Sequence, residues 1–305
     1  MTDRLELLSE DLIEQHMPLA LEVLAASSRL GLPLGWHYVL DLVWLLRELD
    51  LPPGATVLDA GAGWGIAQFL CADRGYRVVS VDMSARVPRA EFAHLYSFDT
   101  LGSGAAIEHA YLDHQRLSLA DAWRVALNTP LGALPGKIGR RLGLASPPKP
   151  PPVTANAPRV TLYRANLERL DALADASVDA VISVSALEHN PPAALPAVLG
   201  ELERVLRPDG RMLITTSACA SGQVYHAPSH SYLQDEAGLT SSYALESPRS
   251  NFAEFAAIER AFRQPRYLDR WLAWTYDHRP VSGMPGRVWN PAYLPVAIAR
   301  RRRTR

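Results

Sequence analysis

The stretch from Thr56 to Asp82 constrains this chain more than any other. Thr56-Val57-Leu58-Asp59-Ala60 is an apolar, β-branched run that breaks into Gly61-Ala62-Gly63-Trp64-Gly65. A helix-length segment follows, and Arg77-Val78-Val79-Ser80-Val81-Asp82 is a second apolar run ending on an acid. The pattern predicts strand, glycine turn, helix and strand in succession. Glycines let the backbone turn sharply and approach a ligand without a Cβ in the way, and the free amides at a helix start favour polar or anionic groups. Asp82 stands 21 positions beyond Gly61, where a carboxylate can accept hydrogen bonds from both hydroxyls of a ribose. The expectation is a nucleotide-cofactor site.

Spacing narrows the choice of cofactor. The dinucleotide fingerprint places its third glycine where this chain has Ile66, whereas here the glycine comes one step earlier, at Gly65. With Asp59 added, Asp59-x-Gly61-x-Gly63-x-Gly65 resembles the first motif of class I S-adenosylmethionine-dependent methyltransferases of small-molecule type. Three further segments resemble that family in the same order. Asn166-Leu167-Glu168-Arg169-Leu170 matches the end of its third strand, and Ser177 to Ser183 with Leu187-Glu188-His189 matches the fourth strand and its close. Glu201 to Thr215, through Pro208-Asp209-Gly210, matches a helix, a turn and the fifth strand. The resemblance is specific over about residues 52 to 217, apart from an insertion.

The resemblance implies an α/β fold: a Rossmann-like, doubly wound, seven-stranded sheet, mostly parallel with its last strand antiparallel, with a helical N-terminal extension and an inserted subdomain. It implies that Asp59 orients the methionine ammonium of S-adenosyl-L-methionine, that Gly61, Gly63 and Gly65 let backbone approach, and that Asp82 binds the ribose while Met83 packs on adenine. Asn166 departs from the acid usual at its place, although its amide oxygen can still accept from the adenine amino group. Leu167 would offer its backbone amide to the ring.

The division expected along the chain is a helical extension or lid over 1–50, a methyltransferase domain over 51–86 and 158–300, an insertion over 87–157 and a basic tail over 301–305. Residues 9–30 and 37–49 show helical spacing. Leu32 to Tyr38 between them reads either as a lid over the substrate cleft or as a plain connection with Trp36 packed inside. Ser118 to Leu127 reads as a capped helix, and Pro147 to Pro152 as an extended polyproline linker. From Ala122 to Leu167 there is no acid, while Arg124, Lys137, Arg140, Arg141, Lys149, Arg159 and Arg164 are cationic. That portion is either a solvated basic surface or an anion-attracting one, suited to a phosphate-bearing substrate or peripheral contact with an anionic membrane surface. After the fifth strand, Gly222 to Tyr232 is expected as a loop facing the ligand crevice. Leu239 to Glu246 is expected as a sixth strand, Phe252 to Tyr276 as helix and Tyr293 to Ala299 as the last strand, with Pro295 at an edge or hairpin.

Composition excludes several classes. A net charge of −1 gives no global field that selects nucleic acid. Asn190-Pro191-Pro192 is followed by Ala193, so the aromatic that would stack on a flipped base is missing. Cys71 and Cys219 are too few for a disulfide framework or a cysteine-rich metal site, and no metal is expected. There is no signal-peptide pattern and no apolar run long enough to span a bilayer, so a cytoplasmic location is expected. The oligomeric state is not encoded in any motif.

The catalytic candidates are His189, Glu188 and His226. An imidazole near its ordinary pKa could remove a proton from a hydroxyl as the methyl arrives, and Glu188 could orient it or bind substrate. Equally, His189 could bond backbone and Glu188 could cap the helix near Pro191. His230 and His37 are further candidates. An oxygen of a small-molecule acceptor, such as a glycan, lipid-linked sugar or secondary metabolite, is the preferred destination of the methyl group. The rivals are a non-catalytic S-adenosylmethionine-binding module and an NAD-dependent oxidoreductase.

Overall fold

Continuous burial along the central strands shows why the sheet needs cover on both faces. Val57, Leu58, Asp59 and Ala60 are all buried, as are Ala180 to Ser183 and Met212 to Ala218. Such runs, without inside-outside alternation, are those of a parallel sheet packed on both sides. The computed structural model describes residues 2–32, 34–84, 92, 94–102, 157–227, 229–264 and 293–302.

The elements run β1 (Arg4–Leu7), α1 (Asp11–Gln15), α2 (Met17–Leu30), α3 (Tyr38–Glu48), β2 (Thr56–Ala60), α4 (Ala67–Asp73) and β3 (Arg77–Asp82). They continue with β4 (Ser97–Leu101), β5 (Arg159–Arg164), β6 (Val178–Val184), α5 (Leu195–Val205) and β7 (Leu206–Ala218). β8 (Gln223–His226), β9 (Ser231–Gln234), α6 (Glu236–Ser242), β10 (Arg249–Ser250), α7 (Phe255–Phe262) and β11 (Leu294–Arg301) complete them. The sheet order is β10-β1-β11-β7-β6-β2-β3-β5-β4, with β9 joined to β7 and β8 to β9. β4, β5, β3, β2, β6 and β7 are mutually parallel. β11 runs antiparallel to β7, as expected of the last strand. The chain builds β3 and β5 on one side of β2 and then returns to lay β6 on the other, which opens a crevice at the C-terminal ends of β2 and β6.

Several expectations about the periphery are corrected. The described strands number eleven rather than seven, because β1, β10 and the β8–β9 hairpin extend the sheet. The N-terminal extension is therefore not wholly helical: β1 pairs with β11 in the sheet. Leu239 to Glu246, expected as a sixth strand, belongs instead to α6 and the turn after it. Asp235 caps α6 by accepting from the Gly238 amide at 2.9 Å, a local signal that outweighs the apolar spacing. Gly222 to Tyr232 is a hairpin rather than a loop. Within the stretch read as an insertion, Ser97–Leu101 is a strand of the main sheet. The expected helix at 118–127, the polyproline linker, most of the basic stretch and the end of the 252–276 helix lie outside the described residues.

Pro295 was expected at an edge yet lies in β11, between β7 and β1. Its carbonyl accepts from the Leu8 amide at 2.9 Å, so its missing N–H points toward β1, whose ladder has already ended at Leu7. The basic tail is also partly structural. Arg302 donates to the Leu206 carbonyl at 2.6 Å. Arg300 is buried, with its guanidinium on the Glu203 carboxylate of α5 and the Tyr243 carbonyl.

α3 is buried almost all round and packs on β6, β7 and β11. Asp41 is buried within it. None of the described helices is long and apolar enough to cross a membrane. Removing Glu203 leaves the Arg300 charge buried without its carboxylate. Glu203→Ala is expected to lower unfolding free energy by about 3 kcal/mol in urea titrations; a loss below about 1 kcal/mol would mean that other groups hold Arg300.

Candidate active site

The glycine turn is pinned to the strand beside it. The amides of Gly61 and Ala62 both donate to the Val81 carbonyl at 2.9 Å, and the Gly63 amide donates to Asp82 Oδ2 at 2.8 Å. Gly61 has φ +75°, and a Cβ there would stand 2.5 Å from the Ala186 Cβ. Glycine is thus required twice at one position, by dihedral angle and by space. The Gly65 amide closes the turn on the Ala62 carbonyl at 2.8 Å, after which Ile66 leads into α4.

Two side chains missed in the sequence lock this loop. Gln68 is fully buried; its Nε2 donates to the Gly65 carbonyl at 2.8 Å, and its Oε1 accepts from Ser80 Oγ at 2.8 Å. The available signal was a lone amide within the apolar run Ala67-Gln68-Phe69-Leu70-Cys71-Ala72, since a buried polar group needs a partner.

Asp59, Gly61, Gly63, Gly65, Asp82, Met83, Asn166 and Leu167, expected from three separate segments, line a single cavity of about 530 Å³. Leu32, Leu34, Tyr38 and Leu42 line it from the N-terminal region, and Val184, Ser185, Ala186, His189 and Asn190 from the end of β6. The Leu32–Tyr38 connection thus contributes to the cavity wall, while Trp36 is buried within the protein.

The Asp82 carboxylate is held from both ends, by Gly63 on Oδ2 and by the Ser84 amide on Oδ1 at 2.7 Å. Each oxygen keeps a further lone pair for a hydroxyl. Met83 is 63% exposed beside it, an apolar surface suited to a flat ring. Asn166 is engaged locally: its Oδ1 accepts from the Glu168 amide at 3.1 Å and its Nδ2 donates to Glu168 Oε2 at 3.3 Å. The cradle, the acid and the apolar rim therefore fit an adenosyl group.

The three catalytic candidates separate. Leu187–His189 form a 3-10 turn after β6, which turns His189 into the cavity and Glu188 into the interior. His189 Nδ1 lies 3.0 Å from the His230 carbonyl. A carbonyl only accepts, so Nδ1 carries the hydrogen and Nε2 holds the lone pair in the neutral ring. His226 does not line this cavity; its Nδ1 pairs with Ser229 Oγ at 2.6 Å, and burial lowers its pKa. His37 does not line this cavity and pairs with Asp41 Oδ2 at 2.6 Å. Among the described residues no group of three or more His, Cys, Asp or Glu could hold a metal ion.

A family model of the methyltransferase domain matches residues 148–214, which include β5, β6, α5 and the first part of β7. Residues 148–214 thus resemble part of a methyltransferase domain. The motif order, the strand order and the cradle agree with a domain of that type. A search of curated proteins finds no match.

Among solved structures, this chain is similar to a protein of Anabaena variabilis described as a methyltransferase of an antibiotic biosynthesis pathway. The identity is 20%, covering 59% of this chain and 46% of that one, with a TM-score of 0.31. It is also similar to phosphoethanolamine N-methyltransferase 2 of Haemonchus contortus, at 15% identity over 95% of this chain and 58% of that one (TM-score 0.43). A third is geranyl diphosphate C-methyltransferase of Streptomyces coelicolor A3(2), at 14% identity over 85% and 78% (TM-score 0.42). The chain thus spans about half the length of the Anabaena protein.

Substitution at Gly61 tests the cradle directly. Gly61→Ala is expected to lower stability by about 1–3 kcal/mol, since it adds both dihedral strain and a clash with Ala186. Equilibrium unfolding measures this, and a neutral result would show that the turn can relax away from β6.

Proposed function

We propose that this chain transfers a methyl group from S-adenosyl-L-methionine to an oxygen of a small-molecule acceptor, with His189 as general base. The observation that carries the reading is the cavity itself, which joins the Gly61–Gly65 turn and Asp82 on one side to His189 on the other. When bound, S-adenosylmethionine supplies a methyl group on a positively charged sulfur, so the protein's task is to hold, align and exclude water. Asp59 and the glycine turn would hold the methionine end, and Asp82 the ribose. Met83, Asn166 and Leu167 would border the adenine.

Oxygen is favoured because a hydroxyl must lose its proton as it is methylated, and in neutral His189, with Nδ1 donating to the His230 carbonyl, the lone pair lies on Nε2. His226 is less suited, lying outside the cavity lining with Nδ1 engaged by Ser229. Glycans, lipid-linked sugars and secondary metabolites all carry suitable hydroxyls.

Two measurements test this. Calorimetry with S-adenosylhomocysteine should show binding that Asp82→Ala weakens roughly ten- to hundredfold, the worth of a lost charge-assisted hydrogen bond or two. Uptake of NAD instead would favour an oxidoreductase. With a labelled methyl donor and a library of small hydroxylated acceptors, His189→Ala should reduce turnover about 10²- to 10⁴-fold while leaving S-adenosylhomocysteine affinity unchanged. Binding without turnover on any acceptor would leave a non-catalytic module.

A further inference from the structure

Behind the cavity wall that carries Ser185 and His189 lies a set of buried polar groups that the transfer step does not use. Asp41 of α3 is fully buried. Its Oδ2 faces His37 Nδ1 at 2.6 Å and accepts from Ser185 Oγ at 3.2 Å, while its Oδ1 has no hydrogen-bond partner among the described residues. Glu188 is 4% exposed, and its Oε2 likewise has none. Burial pushes the Glu188 pKa up; His189 and His37 oppose the shift, and Asp41 adds to it. The same carboxylate acts electrostatically on the buried hydroxyls of Tyr243 and Tyr293, the latter pushed up to about 12 chiefly by burial. Among the described residues no cation stands within ion-pair distance of Glu188.

The surroundings are aromatic. Trp36 and Tyr293 have ring centroids 5.7 Å apart, and the Trp36 indole donates to the Tyr293 hydroxyl at 3.3 Å. His37 lies edge-on to both and stacks on Tyr38 at 4.8 Å. Tyr38, Ser185 and His189 line the cofactor cavity, so this cluster adjoins it directly.

An ionised carboxylate oxygen accepts and does not donate, so the partner missing at Asp41 Oδ1 and at Glu188 Oε2 is a donor. Two neighbouring buried acids also disfavour each other's charge, and a donor that carries positive charge relieves this where a neutral one does not. Aromatic faces next to the acids suit the same kind of ligand. We propose that Asp41 and Glu188, backed by Trp36 and Tyr293, form an ammonium-binding subsite for the acceptor. This inference rests on the transferase reading of the adjoining cavity and names its substrate class: a hydroxylated small molecule that also bears a protonated primary or secondary amine. A nitrogen held by two carboxylates keeps its protons and has no lone pair with which to attack. The amine therefore anchors the acceptor, and the methyl group goes to a hydroxyl that faces His189.

The experiment uses the full chain. S-adenosylhomocysteine is titrated first, and its uptake tests the cofactor reading alone. In its presence, ethanolamine, 4-hydroxybenzylamine and glucosamine are then titrated against their neutral counterparts ethylene glycol, 4-hydroxybenzyl alcohol and glucose. At least one amine should bind ten times more tightly than its counterpart. Glu188→Gln should remove that preference, with S-adenosylhomocysteine affinity held within twofold and the melting temperature unchanged or raised. No preference for any amine, or an undiminished preference in Glu188→Gln, overturns the proposal. If Glu188→Gln does not fold, Asp41→Asn takes its place, and the wild-type comparison of amine with alcohol decides by itself if neither folds. An amine preference without S-adenosylhomocysteine uptake would remove the cofactor reading and leave the ammonium site standing.

Discussion

The close seat of the glycine turn on β3 is the contact on which the rest of the site depends. Three successive amides, from Gly61, Ala62 and Gly63, end on the Val81 carbonyl and the Asp82 carboxylate. That places the turn, the acid and the start of α4 in one fixed relation before any ligand arrives, which is the preorganisation that binding needs. The Gln68–Ser80 bond secures the same relation from the buried side. Loss of a Cβ at position 61 is what lets Ala186, at the far end of β6, close over the turn. The glycine turn and the end of β6 therefore meet so closely that one more methyl group would not fit between them.

Burial sorts the ionisable groups around the cavity into two sets. Asp82 is held by backbone amides at the cavity edge, with a lone pair on each oxygen left for a hydroxyl. Asp41 and Glu188 are enclosed by α3, β6 and aromatic rings, where an unmatched charge is costly. A fold does not gain stability from two such acids, since apolar residues of similar volume would serve at least as well. They stand behind the wall of the cavity that Ser185 and His189 line, which is the basis of the ammonium-subsite proposal.

The central fold was legible because its signals are local. β2, the glycine turn, α4 and β3 follow from apolar runs broken by Gly61 to Gly65, and β6 and β7 from runs of valine, isoleucine and leucine. The periphery was not, because its signals are ambiguous. The apolar spacing of Leu239 to Glu246 suits a strand as well as a helix, and the cap from Asp235 decided for helix. Nothing in Arg4–Leu7 specifies a partner, and only the assembled edge of β11 recruits it as a strand. Pro295 pointed to an edge because a proline's missing donor is normally excluded from a sheet interior; here β1 ends one residue short of needing it.

The sequence by itself determined the order of the parallel strands' motifs, the glycine turn and the acid that ends β3, because turn geometry and hydrophobic period are properties of neighbouring residues. It also supplied the eight residues that line one side of the cavity. Only the tertiary structure decided that His189 turns toward that cavity while Glu188, its neighbour, turns inward, and that Asp41 and His37, about 150 positions earlier, stand against Glu188. Such pairings depend on how α3 packs across β6, β7 and β11. No spacing along the chain encodes them, since the helix could present any of its faces until the sheet beneath it exists.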